Sequence, residues 1–175
     1  SRRVKDPRCS DIVRLKRMIR FLQHRLRLVQ RFGWQNEPEE VVALVDSVWA
    51  GCIKTRRSTS GGVLMYCSHC ICHWSKTQPF VALSSGEAEL NSVLKGGCEL
   101  LGMKHLLGEL GYDKRAVIRT DSGACVGTVH RKGAGRVKQL EGKQLWIQER
   151  VHQGQVEVRK FARSANPSDM LTHHW

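Results

Sequence analysis

Val41-Val42-Ala43-Leu44-Val45 is followed at once by Asp46. Five consecutive apolar residues leave no polar face. A strand with one side in water alternates, whereas one without a polar position is covered on both sides. The run is short and bounded by acids, which suits a buried strand better than a helix. A carboxylate placed directly after it must find a partner, because an unpaired buried charge is costly.

The remaining elements are read around this strand. Residues 61–67 and 71–74 form two more strands, joined by a turn near Ser68-His69. Ser84-Ser85-Gly86-Glu87 has the spacing of a capping box and opens a long helix that reaches about residue 110. Gly111 is its natural left-handed terminator. Residues 116–120 are a fourth strand, ending at Asp121. A short helix through Ala124, Val126 and Val129 follows, then a loop over 130–135, then a helix over 137–151. Residues 155–161 alternate as a fifth strand. Asn166-Pro167 pairs an N-cap with a proline at the first helical position, so a last helix begins at Ser168. The order β-β-β-α-β-α-α-β-α predicts an α/β fold, a five-stranded mixed sheet with flanking helices.

Ahead of the first strand, Ile12, Leu15, Ile19, Leu22, Leu26 and Val29 recur at spacings of three and four. They make one face of an amphipathic helix that Ser10 or Asp11 can cap and Gly33 ends. A polar linker over 35–40 separates it from the sheet. The chain has 29 Lys and Arg against 16 Asp and Glu, a net charge of +13. Residues 1–32 hold 11 of the cations and two of the acids. The excess is therefore a basic arm on a nearly balanced body, and it points to a polyanionic partner, nucleic acid before a membrane surface. Two domains are expected, 1–35 and 36–175.

Several classes fall away. No apolar run approaches the roughly 18–20 residues of a membrane span, and hydrophobic residues at 41% exclude a wholly disordered chain. Seven irregularly spaced cysteines without a secretory signal suggest reduced thiols inside the cell, in cytoplasm or nucleus, rather than a disulfide framework. The chain opens Ser1-Arg2-Arg3 without Met, as a piece of a longer polyprotein would.

Four acids occupy telling places. Asp46 and Asp121 end strands, Glu89 lies on the long helix at the head of a face continued by Val93, Gly96, Gly97 and Leu100, and Asp169 falls in the first turn of the last helix. Oxygen ligands brought together suit a hard cation such as Mg²⁺ or Mn²⁺. Taken singly, each has a plainer use. Asp169 can answer a helix dipole, the strand-end aspartates can cap turns, and Glu89 can sit on a rim. Spacing alone does not assemble them. A separate candidate is the thiol-rich turn of Cys67, His69, Cys70, Cys72 and His73, whose Cys-x-x-Cys spacing could hold zinc.

A family resemblance does assemble the acids. Asp46-Ser47-Val48-Trp49-Ala50-Gly51-Cys52 resembles the Asp-Ala-Asp-Trp-Ala-Gly-Cys segment of copia-type (Pseudoviridae) retrotransposon ribonuclease H domains. The likeness continues through Thr55-Arg56-Arg57-Ser58-Thr59-Ser60-Gly61, Trp74-Ser75-Lys76, Gln78-Pro79, Val81-Ala82-Leu83-Ser84-Ser85 with Glu87-Ala88-Glu89, Thr120-Asp121-Ser122 and Asn166-Pro167-Ser168-Asp169-Met170-Leu171-Thr172. Leu15-Lys16-Arg17-Met18-Ile19-Arg20-Phe21-Leu22 resembles the helix that follows the reverse transcriptase in the same polyprotein. The resemblance implies an endonuclease that cuts the RNA strand of RNA–DNA hybrids during reverse transcription. It implies two Mg²⁺ or Mn²⁺ ions held by Asp46, Glu89, Asp121 and Asp169, with the reverse transcriptase portion as a partner and no membrane. Arg56, Arg57, Lys76, Arg131, Lys132 and Lys138 become candidates for phosphate contacts. Departures are Val48 at the motif's second aspartate, Lys138-Gln139-Leu140-Glu141 where the family has Lys-His-Ile-Asp, and His173 for Lys. They keep open a non-catalytic nucleic-acid-binding module built on the same fold.

Overall fold

The computed structural model describes residues 7–132 and 142–172. The chain separates into two compact units, Ser1–Trp34 and Gln35–Trp175.

In the first unit, α1 spans Cys9–Gln23. The Asp11 carboxylate accepts the Arg8 N–H at 2.9 Å, so Asp11 works from inside the first turn and the cap position itself is Arg8, ahead of both Ser10 and Asp11. The helix stops well short of Gly33. Beyond it, Arg25-Leu26-Arg27-Leu28 alternates with period two, which cannot keep an apolar stripe on one helical face. The Arg25 guanidinium instead lies over the Phe21 ring, 5.2 Å from its centroid.

The second unit is the expected mixed sheet. Its elements are β1 (Glu40–Val48), β2 (Thr59–Tyr66), β3 (His69–Thr77), α2 (Ser85–Glu109), β4 (Arg115–Thr120), α3 (Gly123–Val129), α4 (Gly142–His152), β5 (Glu157–Lys160) and α5 (Asp169–Thr172), with a 3₁₀ turn over Arg163–Ala165. The part of the fourth helix expected from residue 137 to 141 lies outside the described residues. The strand order is β3-β2-β1-β4-β5, with β1 antiparallel to β2 and parallel to β4.

The apolar run explains why β1 is central. Val41, Ala43 and Val45 pack into the larger core with Leu90, Val93, Leu100, Ile118 and Ile147. Val42 and Leu44 point to the other face and join Val117, Met65 and Phe161. All five are buried, as a run without alternation requires. On that second face the Arg119 guanidinium covers Phe161 and pairs with Glu40, which also receives Arg159.

The long helix is capped much as its sequence spells out. Ser84 Oγ accepts the Glu87 N–H at 3.2 Å. The Glu87 carboxylate reaches one residue further back than a full capping box and accepts Leu83 N–H at 2.7 Å. Gly111, at φ +87°, ends the helix. Gly96 lets α2 approach β1: a Cβ there would meet Val45 Cγ1 at 2.5 Å. Among the described residues, no helix is long and apolar enough to cross a membrane.

Candidate acidic metal site

Asp46 does not end its strand. β1 continues to Val48, and Asp46 pairs across the sheet with Gly61. The strand can carry a buried acid here because β2 offers glycine, not a side chain, at the facing position. On the other side, the parallel register sets Leu44 beside Arg119. The ladder ends there, and the chain continues on each side to Asp46 and to Asp121, which directly follows β4. Asp46 therefore stands two residues before the end of β1 and Asp121 directly after β4, next to the point where the sheet changes from antiparallel to parallel pairing.

Glu89 arrives from the first turns of α2. Its place is fixed by Gln78, whose buried amide donates to Ser60 Oγ and to Ala88 O, each at 2.9 Å. One ligand atom each of Asp46, Glu89 and Asp121 lies within 4.8 Å of the others. The three acids span β1, α2 and the end of β4, so the expected convergence holds for them. Asp169 is outside this 4.8 Å set. Its carboxylate faces Arg163, at 3.4 Å, and the same guanidinium lies 4.0 Å from Asp121 Oδ2.

Neighbouring side chains that the sequence reading passed over hold the trio. Thr172 donates its hydroxyl to Asp46 Oδ2. Ser47, pointing to the opposite face of β1 from Asp46, donates to Glu89 Oε1 at 2.9 Å. Ser92 donates to the Asp46 carbonyl at 2.6 Å, and Asn166 donates to that of Val45 at 3.1 Å. The signal for Thr172 and Asn166 lay in the motif that carries Asp169. Ser47 had a signal too, since it stands where the family segment has Ala.

The electrostatics follow from burial and crowding. Burial pushes the Glu89 carboxyl up from 4.5 to about 7, the Ser47 hydroxyl opposes the rise, and the charges of Asp46 and Asp121 add to it. Asp46 is also raised, first by burial, against the Thr172 hydrogen bond and with help from Asp121 and Asp169. Glu89 Oε2 is buried without a hydrogen-bond partner. A buried, unpaired carboxylate oxygen on an acid grouped with two more is the arrangement a hard divalent cation relieves.

The basic candidates are placed as follows. Arg56 and Arg57 lie in an exposed loop closed by Arg56 N–H to Cys52 O at 2.7 Å. Lys76 is exposed on β3, and Arg131 and Lys132 follow α3, also exposed. Lys138, Gln139 and the segment around them lie outside the described residues. In the thiol-rich turn, β3 alternation sends Cys72 and Trp74 toward the core while Ile71 and His73 face out. Among the described residues, the acid trio is the one cluster of three or more metal-capable side chains, so the zinc alternative does not assemble.

No protein-family model matches the chain. It is 33% identical over 129 residues to the retrovirus-related Pol polyprotein from transposon TNT 1-94 of Nicotiana tabacum, a match that covers 73% of this chain and 10% of that protein. It is 36% identical over 102 residues to an uncharacterized mitochondrial protein of Arabidopsis thaliana, covering 56% of this chain and 40% of that one. The chain thus spans about a tenth of the first relative and two fifths of the second. Among solved structures it is similar to LC11-RNase H1, isolated from compost by a metagenomic approach, at TM-score 0.54 and 14% identity over 77% of this chain and 93% of that one. The same enzyme in complex with an RNA/DNA hybrid gives TM-score 0.52 at 14% identity, over 75% and 93%. By sequence the chain belongs with the copia-type retrotransposon Pol polyproteins, and its second unit has the ribonuclease H fold.

Proposed function

We propose that this chain hydrolyses the RNA strand of RNA–DNA hybrids, as a ribonuclease H unit of a retrotransposon Pol polyprotein. The observation that carries the proposal is the trio Asp46, Glu89 and Asp121, with ligand atoms within 4.8 Å of one another and one buried carboxylate oxygen unpaired. Asp46, Glu89 and Asp121 would hold divalent cations, and Asp169 would join them once it leaves Arg163. Bound Mg²⁺ or Mn²⁺ supplies charge neutralisation at the scissile phosphate and activation of the attacking water.

The chain's own groups do the rest. Asp46, fixed by Thr172, presents charge at the centre of the site. Ser47 keeps the Glu89 carboxylate turned toward the other two acids. The exposed cations Arg56, Arg57, Lys76, Arg131 and Lys132 are suited to phosphate contacts, which bind without reading sequence. Lys138 joins this proposal from its motif position. Choice of RNA over DNA would rest on the 2′-hydroxyl and on duplex shape. The relative's Pol polyprotein makes the reverse transcriptase portion of the same polyprotein the proposed partner.

The test is cleavage of an end-labelled RNA–DNA hybrid in Mg²⁺ and in Mn²⁺, with duplex DNA and duplex RNA as controls. Hybrid-specific cutting that Asp46→Asn abolishes, while hybrid binding persists, is the expected result. Binding without cutting in either metal would leave the non-catalytic module as the correct reading.

A further inference from the structure

We propose that Thr172 is a positioning residue for Asp46, and that Gly61 forms the seat that lets it act. The proposal rests on the metal-site reading above and goes beyond it to ask what aims the central carboxylate.

Thr172 sits at the end of a four-residue helix, far too short to be stable alone. Yet its side chain is fully buried and donates to Asp46 Oδ2. Something else must hold α5 in place. Ser75 on β3 donates to Leu171 O at 2.6 Å. Asn166 donates to Val45 O from β1, while its own oxygen accepts Ser168 N–H and the Ser168 hydroxyl at 3.2 and 2.6 Å. Under the helix lies Gly61. A Cβ there would meet Thr172 Cγ2 at 2.6 Å, Leu171 Cβ at 3.1 Å and Ser168 O at 3.1 Å. Gly61 is also the residue paired with Asp46 across the sheet. One missing side chain thus clears the strand face beside Asp46 and admits the helix that carries its hydroxyl donor.

The consequence is directional. A free carboxylate at a strand position rotates about its side-chain bonds. Thr172 commits one of the two oxygens, so the other is left with a defined orientation. Partners of this kind, one step behind a metal-binding carboxylate, typically change metal affinity by about 10–100-fold when removed.

The experiment uses the full chain and Mn²⁺ alone, titrated calorimetrically and by electron paramagnetic resonance without nucleic acid. Thr172→Val keeps the shape and removes the donor, and is expected to weaken Mn²⁺ binding about tenfold or more. Thr172→Ser retains the hydroxyl and should bind within about twofold of wild type. Gly61→Ala, with Thr172 intact, should match the Val variant. If Thr172→Val unfolds in the metal-free state, Thr172→Ala against Thr172→Ser makes the same comparison without the added methyl. Wild-type Mn²⁺ affinity in the donor-less variants, with Asp46→Asn unable to bind, would overturn the role of Thr172 and leave the metal site standing. Wild-type affinity in Asp46→Asn would instead overturn the metal site itself, and the positioning role with it.

Discussion

Glu89→Gln separates the cost of the acid site from its use. Glu89 carries a carboxyl raised from 4.5 to about 7, chiefly by burial. The rise amounts to about 3 kcal/mol, at about 1.4 kcal/mol per tenfold change in proton affinity. Below about pH 4.5 both folded and unfolded chains hold the proton, and the site carries no penalty. Between there and about pH 7 the unfolded chain releases its proton first, so stability falls as pH rises. Above about pH 7 the folded protein bears the full penalty. Gln fits the same space, still accepts from Ser47 through its carbonyl oxygen, and never ionises. The variant should therefore melt close to wild type at pH 4.5. At pH 8.5 with chelator it should be more stable by about 2–3 kcal/mol, or about 5–10 °C for a domain of this size. Thermal melts followed by circular dichroism at both pH values measure it. Added Mn²⁺ should reverse the order, because only wild type keeps the ligand. A difference between the two proteins that does not change with pH would refute the assignment of the buried charge to Glu89.

The glycines of α2 should divide into two classes. Nothing lies within 4 Å of a Cβ at Gly102, so Gly102→Ala should raise stability by about 0.5–1 kcal/mol, whereas Gly96→Ala, pressed on Val45, should lower it by about 1–3 kcal/mol in a denaturant melt. Arg163 neutralises Asp121 and Asp169 at once from an exposed position. Arg163→Gln should tighten the weaker Mn²⁺-binding event by about twofold to fivefold, the worth of an exposed ion pair, and unchanged titration curves would dismiss Arg163 as a competitor. Removing residues 1–34 should weaken hybrid affinity and flatten its dependence on salt, since that arm holds most of the excess charge. Equal slopes for the two proteins in a salt series would rule the arm out as a phosphate contact.

What the sequence revealed was the part written in short range. The unbroken apolar run told that β1 is covered on both faces, and Ser84 and Gly111 marked the ends of α2 because capping is local chemistry. The acids were individually visible, and a motif resemblance joined them. Partners across long separations were not visible. Thr172 meets Asp46 over 126 positions and Ser47 meets Glu89 over 42, and neither spacing has a period to betray it. The extent of β1 past Asp46 rests on its pairing with β2 as far as Val48 and Thr59, which only the register reveals. α1 ends at Gln23, short of Gly33, because the apolar spacing changes from helical to alternating beyond it.

The change of pairing at β1 has a consequence for how the chain comes together. Asp46 lies on a meander of consecutive strands, whereas Asp121 comes in directly behind β4, after the whole of α2. Pairings between near neighbours form ahead of those that must close a long loop. A chain emerging from the ribosome would hold Asp46 and Glu89 long before the third acid exists to meet them. When β4 docks, it brings like charge against like charge at the growing edge, and that repulsion opposes the pairing of β4 with β1. A divalent ion available at that moment would remove the opposition. Refolding in its presence would then be governed by strand docking rather than by the acids.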